Sequence, residues 1–522
     1  MPLLDVRSIT FSFDQGTPLF HNLSFRLEPH RTGLVGHNGC GKSTLLALLI
    51  GQLQPDTGQI LQQGSLAWLS QLPDLQGSVA TLLGIEAPLK ALLRLQQGQG
   101  SAEDLELLAD RWLLAEELNQ LLTSLGLPAD PQLPLAQLSG GQQTRLALQW
   151  LFSHPVDLLL LDEPSNHLDA EGRQWLIEQI QQYRGGLLLV SHDQQLLEQM
   201  DEILELDTTG IHRYGGNYSF WQQQRRLEQQ ALQRRLDNTE QRLQEVQNQA
   251  QQSRERAARR ARTGKQQRTS GSQGKLLLDM KKNRAEQHSG QQSRLRDQQQ
   301  QQLQQQQQLL RQQQARLDEQ KLHLPTRLSG KGRLLDVIDV QLPRGQQTPL
   351  TFSLDQGHKM QLCGNNGSGK STLLQVLLGS LPAIHGEVHL HTRPCYLDQH
   401  FSLLNPGTSA LQNLQQAAPG LPESDARTLL ANMGLRRERA ALPVAQLSGG
   451  ERMKLALLMA TRQPDTGLLL LDEPDNHLDL NSKAQLAALI SNWPGALLLV
   501  SHDQAFVSAC DISERLELLA SR

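Results

Sequence analysis

The chain has 522 residues, with 49 Lys and Arg against 53 Asp and Glu and 38% hydrophobic residues, enough for two buried cores plus an extended element rather than one ordinary domain. No window approaches the ~18 consecutive apolar residues of a spanning helix, and Met1 to Asp14 has no basic region leading into a long apolar run, so the expectation is a soluble, cytoplasmic protein without membrane insertion. Cys40, Cys363, Cys395 and Cys510 are scattered without a C-x-x-C pair, which argues against a zinc site or a disulfide framework.

From Leu3 the chain reads as short strands with turns at Asp14 to Gly16 and Glu28 to His30. An apolar strand at Leu34 and Val35 then runs into Gly36-His37-Asn38-Gly39-Cys40-Gly41-Lys42-Ser43-Thr44, ahead of a helix expected over Leu45 to Ile50. This is G-x-x-x-x-G-K-S between a strand and a helix. Its glycines permit a tight loop whose N–H groups wrap phosphates, Lys42 reaches the β and γ phosphates, and Ser43 can ligate magnesium. Leu66 to Leu69 reads as a further strand, and Leu83 to Leu127 as a mostly helical region broken at Gln97 to Gly100. Leu138-Ser139-Gly140-Gly141-Gln142 precedes a helix expected over Gln143 to Phe152. Taken alone it is an ordinary cap or an anion site at a helix N-terminus.

The run Leu158 to Leu161 has the continuous apolar character of a strand buried on both faces. It ends in Asp162 and Glu163, at the end of an α/β sheet where ligands sit. Asp162 is the natural magnesium partner, and Glu163 is placed to orient or deprotonate an attacking water. A second apolar strand, Leu187 to Val190, ends in Ser191-His192-Asp193. A histidine at a strand end is often structural, but recurrence of the string favours a phosphate contact for His192.

The recurrence is complete. Gly364-Asn365-Asn366-Gly367-Ser368-Gly369-Lys370-Ser371-Thr372 is followed by Leu447-Ser448-Gly449-Gly450-Glu451, by Leu468 to Leu471 with Asp472-Glu473, and by Ser501-His502-Asp503. Residues 163 to 192 and 473 to 502 have the same spacing, so the chain is an internal repeat. Two sets of matched strings in one order resemble the ATP-binding cassette family. That resemblance makes Gln71 and Gln399 the Q-loop glutamines that sense magnesium, and Phe13 the aromatic that stacks on adenine, although a core phenylalanine reads the same way. It also implies two cassettes facing head to tail. Site one then takes Lys42, Ser43, Gln71, Asp162, Glu163 and His192 with Ser448 and Gly450. Site two takes Lys370, Ser371, Gln399, Asp472, Glu473 and His502 with Ser139 and Gly141. Val340 to Gln347 offers no aromatic to match Phe13, so equal affinity of the two sites is in doubt.

Residues 222 to 321 carry 21 Lys and Arg against 10 Asp and Glu, and Arg254 to Arg296 carries 13 against 3, a charge asymmetry that suits a polyanionic partner. Leu232, Leu236, Leu243 and Val246, then Leu303, Leu310 and Leu317, give each flank a narrow apolar seam. The simplest structure is an antiparallel helical hairpin whose basic tip, broken at Gly264, Gly271 and Gly274, stands ~45 Å from the cassettes. A solvated spacer is the competing reading, above all for Gln298 to Gln308.

The expected fold class is thus α/β: two P-loop cassettes in tandem, residues 1–220 and 326–522, joined by a helical coiled-coil linker at 221–325. The whole resembles the ABC-F family of translation factors, a likeness strengthened by Tyr214-Gly215-Gly216-Asn217-Tyr218-Ser219 and by Glu-Pro-Ser-Asn-His-Leu-Asp and Glu-Pro-Asp-Asn-His-Leu-Asp. It implies a monomeric ATPase using ATP and Mg2+ that binds the tRNA exit site of the ribosome, with the linker toward rRNA and P-site tRNA. Stalling rescue, regulation and protection from antibiotics are its open outcomes. Two other functions compete. One is the ATPase subunit of a membrane transporter with a separate spanning partner. The other is a DNA-associated ATPase, whose relatives add a C-terminal coiled coil for which the 20 residues beyond His502 leave no room.

Overall fold

The computed structural model describes residues 2–13, 18–69, 77–109, 111–166, 168–207, 209–269, 295, 298–311, 332–365, 367–398, 401–435, 438–462, 466–476, 478–512 and 514–519, with backbone only at 254, 257–258, 260–269, 438 and 466. The chain divides into two compact units, residues 1–220 with 320–522, and residues 221–319. Among the described residues no helix is long and apolar enough to cross a membrane.

In the first cassette β1 (Leu4–Phe11), β2 (Phe20–Leu27) and β4 (Thr57–Gln62) form an antiparallel sheet in the order β2-β1-β4. A second sheet holds β3 (Arg31–Gly36), β5 (Leu66–Leu69), β6 (Leu158–Asp162), β7 (Gly186–Val190), β8 (Glu202–Asp207) and β9 (Gly210–Gly215). Its order is β5-β6-β7-β3-β8-β9, parallel apart from β9. Every residue of β6 and β7 is buried, because helices cover both faces of a parallel sheet and its strands are apolar without alternation.

The second cassette repeats the plan. Strands β10 (Arg333–Gln341), β11 (Leu350–Asp355) and β13 (His385–Leu390) form the antiparallel sheet β11-β10-β13. Strands β12 (Lys359–Cys363), β14 (Arg393–Leu397), β15 (Thr466–Asp472), β16 (Ala496–Val500) and β17 (Glu514–Glu517) form the all-parallel sheet β14-β15-β16-β12-β17. The repeat extends to backbone detail. Ser8 in β1 and Asp339 in β10 both hold a positive φ, 50° and 52°, at matching register shifts of their strands.

The extra length of the first cassette is a pair of helices, Glu86–Gln96 and Ala102–Leu108, divided at the expected Gln97 to Gly100 break. They share a core with the helices Leu114–Ser124 and Gly140–Ser153, in which Leu92, Leu108, Leu118 and Leu146 are fully buried. The corresponding region of the second cassette is shorter, with helices at Ala410–Ala417, Glu423–Asn432 and Glu438–Ala441.

The helix Tyr218–Thr269 supplies most of the described residues of the second unit. Its 52 residues span ~78 Å at ~1.5 Å each. Residues 298–311 are helical and pack against it: Leu232 and Leu236 bury Leu310, and Glu240 accepts hydrogen bonds from Gln307 Nε2 (3.0 Å) and Arg311 Nη2 (2.8 Å). Gly264 does not break the helix, contrary to expectation. One glycine costs a helix only ~1 kcal/mol relative to alanine, and the neighbouring Arg, Ala, Lys and Gln are strong helix formers. Gly271, Gly274, Leu317 and most of the basic stretch beyond Thr269 lie outside the described residues.

Candidate functional site

β3 and β12 each end in a glycine-rich loop that turns into a helix at its lysine, at Lys42–Leu49 and Lys370–Leu377. The first helix starts three residues before the expected Leu45, so Lys42, Ser43 and Thr44 form its first turn and their N–H groups join the loop. Gly41 and Gly369 cap these helices with φ of 99° and 104°, in the left-handed region where a side chain is strained. Lys42 Nζ donates to Gly36 O (2.8 Å) and His37 O (3.3 Å), and Lys370 Nζ to Gly364 O (2.6 Å) and Asn365 O (3.2 Å). Each ammonium is thereby tethered to two carbonyl oxygens of its own loop, and its charge together with the loop's N–H groups makes a cradle for an anion.

Because β7 lies between β6 and β3, and β16 between β15 and β12, carboxylate, histidine and lysine leave three adjacent strand ends. Ser43 Oγ donates to Asp162 Oδ2 at 3.2 Å and Ser371 Oγ to Asp472 Oδ2 at 3.4 Å, pairing hard oxygen donors of the kind magnesium prefers. Burial pushes both aspartates above the usual carboxylate range, although Ser43 and Lys42 oppose it at Asp162 and Tyr396, Ser371 and Lys370 at Asp472. Tyr396 Oη donates to Asp472 Oδ2 (3.3 Å); the corresponding residue of β5 is Trp68, two positions before Leu69's successor Ser70.

Glu163 and Glu473 sit at positive φ, 49° and 50°, a cost of ~1–3 kcal/mol that surrounding structure must over-determine. Their backbones are pinned by Glu163 N donating to Val190 O (2.8 Å) and Glu473 N to Val500 O (2.9 Å). Glu163 Oε1 then stands 3.5 Å from His192 Nε2, and Glu473 Oε1 stands 3.6 Å from His502 Nε2. Burial dominates the protonation of all four. It raises Glu163 to about 7 and lifts Glu473, and it drives His192 well below its ordinary value and His502 to about 4. Glu163 Oε1 and both ring nitrogens of His192 are buried with no hydrogen-bond partner among the described residues. Such orphaned atoms beside a phosphate cradle and an oxygen pair fit a magnesium-bound nucleoside triphosphate and a water.

A cavity of about 670 Å³ joins this machinery to the other cassette. From the first it takes Asn38, Gly39, Gly41, Lys42, Ser43 and Thr44 of the loop, with Asp162, Glu163, His192 and Phe13; from the second it takes Ser448, Gly449, Phe401 and Arg452. Ser448 caps the helix Gly449–Arg462, and its Oγ accepts from Glu451 N (3.3 Å). Gly450 lies beside Ser482, where an added Cβ would come within 2.7 Å of the hydroxyl. In the first cassette Ser139 caps the helix opened by Gly140 and Gly141, accepting from Gln142 N. That helix begins three residues before the expected Gln143, since the glycines form its first turn. Phe13 is 58% exposed and meets Phe11 edge-on, with ring centroids 5.1 Å apart. Counting five residues from the matched strand irregularities at Ser8 and Asp339, the place of Phe13 falls to Arg344 in the second cassette, so no aromatic stands there.

Other contacts cross between the cassettes. Asn38 N donates to Asp479 Oδ2 at 2.9 Å while Asp479 Oδ1 caps the helix Leu480–Ser491 through Ser482 N at 2.7 Å. Burial opposes ionisation of Asp479, but hydrogen bonds from His37, Asn38 and Ser482 hold it well below the usual range. Lys483 Nζ donates to Asp503 Oδ2 (2.8 Å) and across to His192 O (3.2 Å). On the other side Asp169 lies close enough to Lys370 and His502 to favour their charged forms. Gln71, Gln399 and Asn366 lie outside the described residues, whereas Gly367 belongs to the second loop and Thr372 to its helix. Phe401, Arg452, Lys483 and Tyr396 are absent from the sequence-based set. Lys483 alone left a signal there, since Arg173 holds the same offset from Asp169 that Lys483 holds from Asp479.

The sequence pattern described as "ABC transporter" matches residues 20–166 and 347–476. The chain is 30% identical to the putative ATP-binding protein YdiF of Bacillus subtilis, over 97% of this chain and 79% of that protein. It is 32% identical to the ATP-binding protein Uup of Escherichia coli, again over 97% and 79%. Its fold is similar to that of a chain in the crystal structure of the complex of archaeal ribosomal stalk protein aP1 and archaeal ribosome recycling factor aABCE1. The TM-score is 0.55 at 17% identity, covering 98% of this chain and 87% of that one. With two cassettes, a helical insert between them and a site fitted to ATP and Mg2+, the protein belongs to the ABC-F family of ATP-binding cassette ATPases.

Proposed function

We propose that the protein is a cytoplasmic, monomeric ATP-driven clamp that acts on the ribosome, with residues 1–220 and 326–522 as the paired cassettes and residues 221–325 as the element that meets rRNA and tRNA. The observation that carries the clamp is the cavity in which Lys42 of one cassette and Ser448 of the other line the same space. A ligand that touches both can hold the cassettes together, and its cleavage removes that differential contact. In this reading Gly36 to Thr44 and Gly364 to Thr372 bind phosphates. Ser43, Asp162 and Gln71, with Ser371, Asp472 and Gln399, hold the Mg2+ that neutralises phosphate charge. Glu163 and Glu473 take the proton of the attacking water, and His192 and His502 contact the terminal phosphate in their neutral forms. Ser139 to Gly141 and Ser448 to Gly450 close each site from the opposite cassette, and Phe13 stacks on adenine in site one only.

The ribosomal target rests on the net positive charge of residues 222 to 321, which suits an RNA backbone, and on the fold shared with a chain from the complex of a ribosomal stalk protein and a ribosome recycling factor. A transporter subunit leaves the basic unit without a role. The test is sedimentation of the full chain carrying Glu163→Gln and Glu473→Gln with ribosomes and ATP. Accumulation on ribosomes is expected, and ATP retention without ribosome binding removes the assignment.

Two further results are expected. Neutralising Arg256, Arg259, Arg260 and Arg262 weakens ribosome binding about tenfold or more at physiological salt and flattens its salt dependence, while ATP hydrolysis without ribosomes survives. Loss of hydrolysis instead makes the linker a brace. Second, ATP hydrolysis rises with pH through about 7 and levels off above, because burial places Glu163 there and only its ionised form accepts a proton. A profile flat from pH 6 to 8 takes Glu163 out of that role. The same upward shift means its stabilising contribution is complete below 4.5 and is lost as pH rises through about 7.

A further inference from the structure

The cavity of site one contains a cation that none of these roles uses. Arg452 lies in the helix Gly449–Arg462, four residues on from Ser448, and on a helix such positions share one face. It lines the cavity. Its Nε is buried without a hydrogen-bond partner, and no ion pair engages its guanidinium among the described residues. The adjacent acid does not neutralise it. Glu451 Oε1 accepts from Arg439 Nη1 (2.5 Å), and Oε2 accepts from Ser448 N and Ser448 Oγ (both 2.9 Å). A buried guanidinium Nε left without an acceptor is costly, so the position makes physical sense with an anion in the cavity.

The matching residue of the first cassette is different. Four residues on from Ser139 stands Gln143, which is fully buried and donates its amide to Leu135 O (2.8 Å) and Leu138 O (3.2 Å). That side chain is neutral and its donors are occupied within its own cassette. Two otherwise matched helices therefore present a free guanidinium on one side and a satisfied amide on the other.

We propose that Arg452 binds the triphosphate of the nucleotide in site one from across the cassette interface, making that site select ATP over ADP in a way site two does not. The inference rests on the reading of Lys42, Ser43 and Asp162 as site one. A guanidinium presents five donors in a planar fork matched to phosphate oxygens. Lys42 and the loop N–H groups hold the phosphates from one cassette, and Arg452 adds charge from the other, where the third phosphate brings negative charge that a diphosphate lacks.

The experiment is equilibrium binding of ATP and ADP with magnesium to the full chain carrying Glu163→Gln and Glu473→Gln to stop turnover and Lys370→Ala to silence site two. Adding Arg452→Gln, which copies the residue of the first cassette, should raise the Kd for ATP about tenfold and leave that for ADP within about twofold. Arg452→Lys should fall between, since it keeps the charge and loses the fork. Unchanged ATP affinity in Arg452→Gln overturns the proposal, and so does an equal loss for both nucleotides. Adding Lys42→Ala separates the two levels of inference: loss of both nucleotides upholds the site, whereas retention of both means the underlying site is wrong.

Discussion

Replacing Glu163 and Glu473 together by glutamine should lower ATP hydrolysis by ~10²–10⁴-fold, the range by which a positioned acid–base group accelerates a reaction, while ATP remains bound. The amide fills the same space as the carboxyl, so neither the pinned backbone nor the positive φ at each position is disturbed. What it removes is the proton acceptor. Burial already holds Glu163 near neutrality, so the amide also relieves the cost of burying an anion, and the doubly substituted chain should be no less stable than the natural one above pH 7. The phosphate cradle of Lys42 and Ser43 is untouched. A radiolabelled ATP retention assay beside a phosphate-release assay reads both quantities. Retained ATP with hydrolysis within threefold of the natural rate would falsify the assignment of the two glutamates. The single variants need not contribute equally, because groups that act through a shared closed state are not additive.

Substituting methionine at Lys483 should destabilise the paired cassettes by about 3–5 kcal/mol, the usual cost of breaking a buried ion pair from one side. Lys483 is held by Asp503 at 2.8 Å with side-chain exposures of 12% and 6%, and Asp475 lies beside the pair with Oδ1 unpartnered. Burial alone would lower the lysine; the two carboxylates more than offset it and keep the ammonium charged. Methionine matches its length but strands both acids. Adding Asp503→Asn should recover much of the loss, since replacing both partners of a buried pair costs far less than removing one. The urea midpoint of the first transition measures this. Lys483 also donates to His192 O across the interface, so site-one turnover should fall in Lys483→Met even at temperatures where the fold persists. A midpoint unchanged by Lys483→Met means that the pair is solvated rather than buried.

Both predictions depend on facts of different origin. The phosphate loop, the carboxylate pair and the histidine were legible because each string combines a strand, a turn chemistry and a reactive side chain within a dozen residues, and because the chain states them twice. Local sequence thus determined a tandem P-loop ATPase and named the candidate residues of its two sites. It placed helix starts three residues late at Lys42 and Gly140, since a glycine-rich loop that closes on a phosphate looks like coil until its N–H groups are seen to begin a helix. It stopped the long helix at Gly264, where one glycine's cost is smaller than the propensity of its neighbours. Only the tertiary structure showed that β7 lies between β6 and β3, that Asp479 grips the loop of the other cassette, that Arg452 lines the same cavity as Lys42, and that Lys483 reaches across. The contacts between the cassettes join residues hundreds of positions apart. Their energies come from burial and from charges meeting across an interface, quantities that no local pattern of side chains encodes.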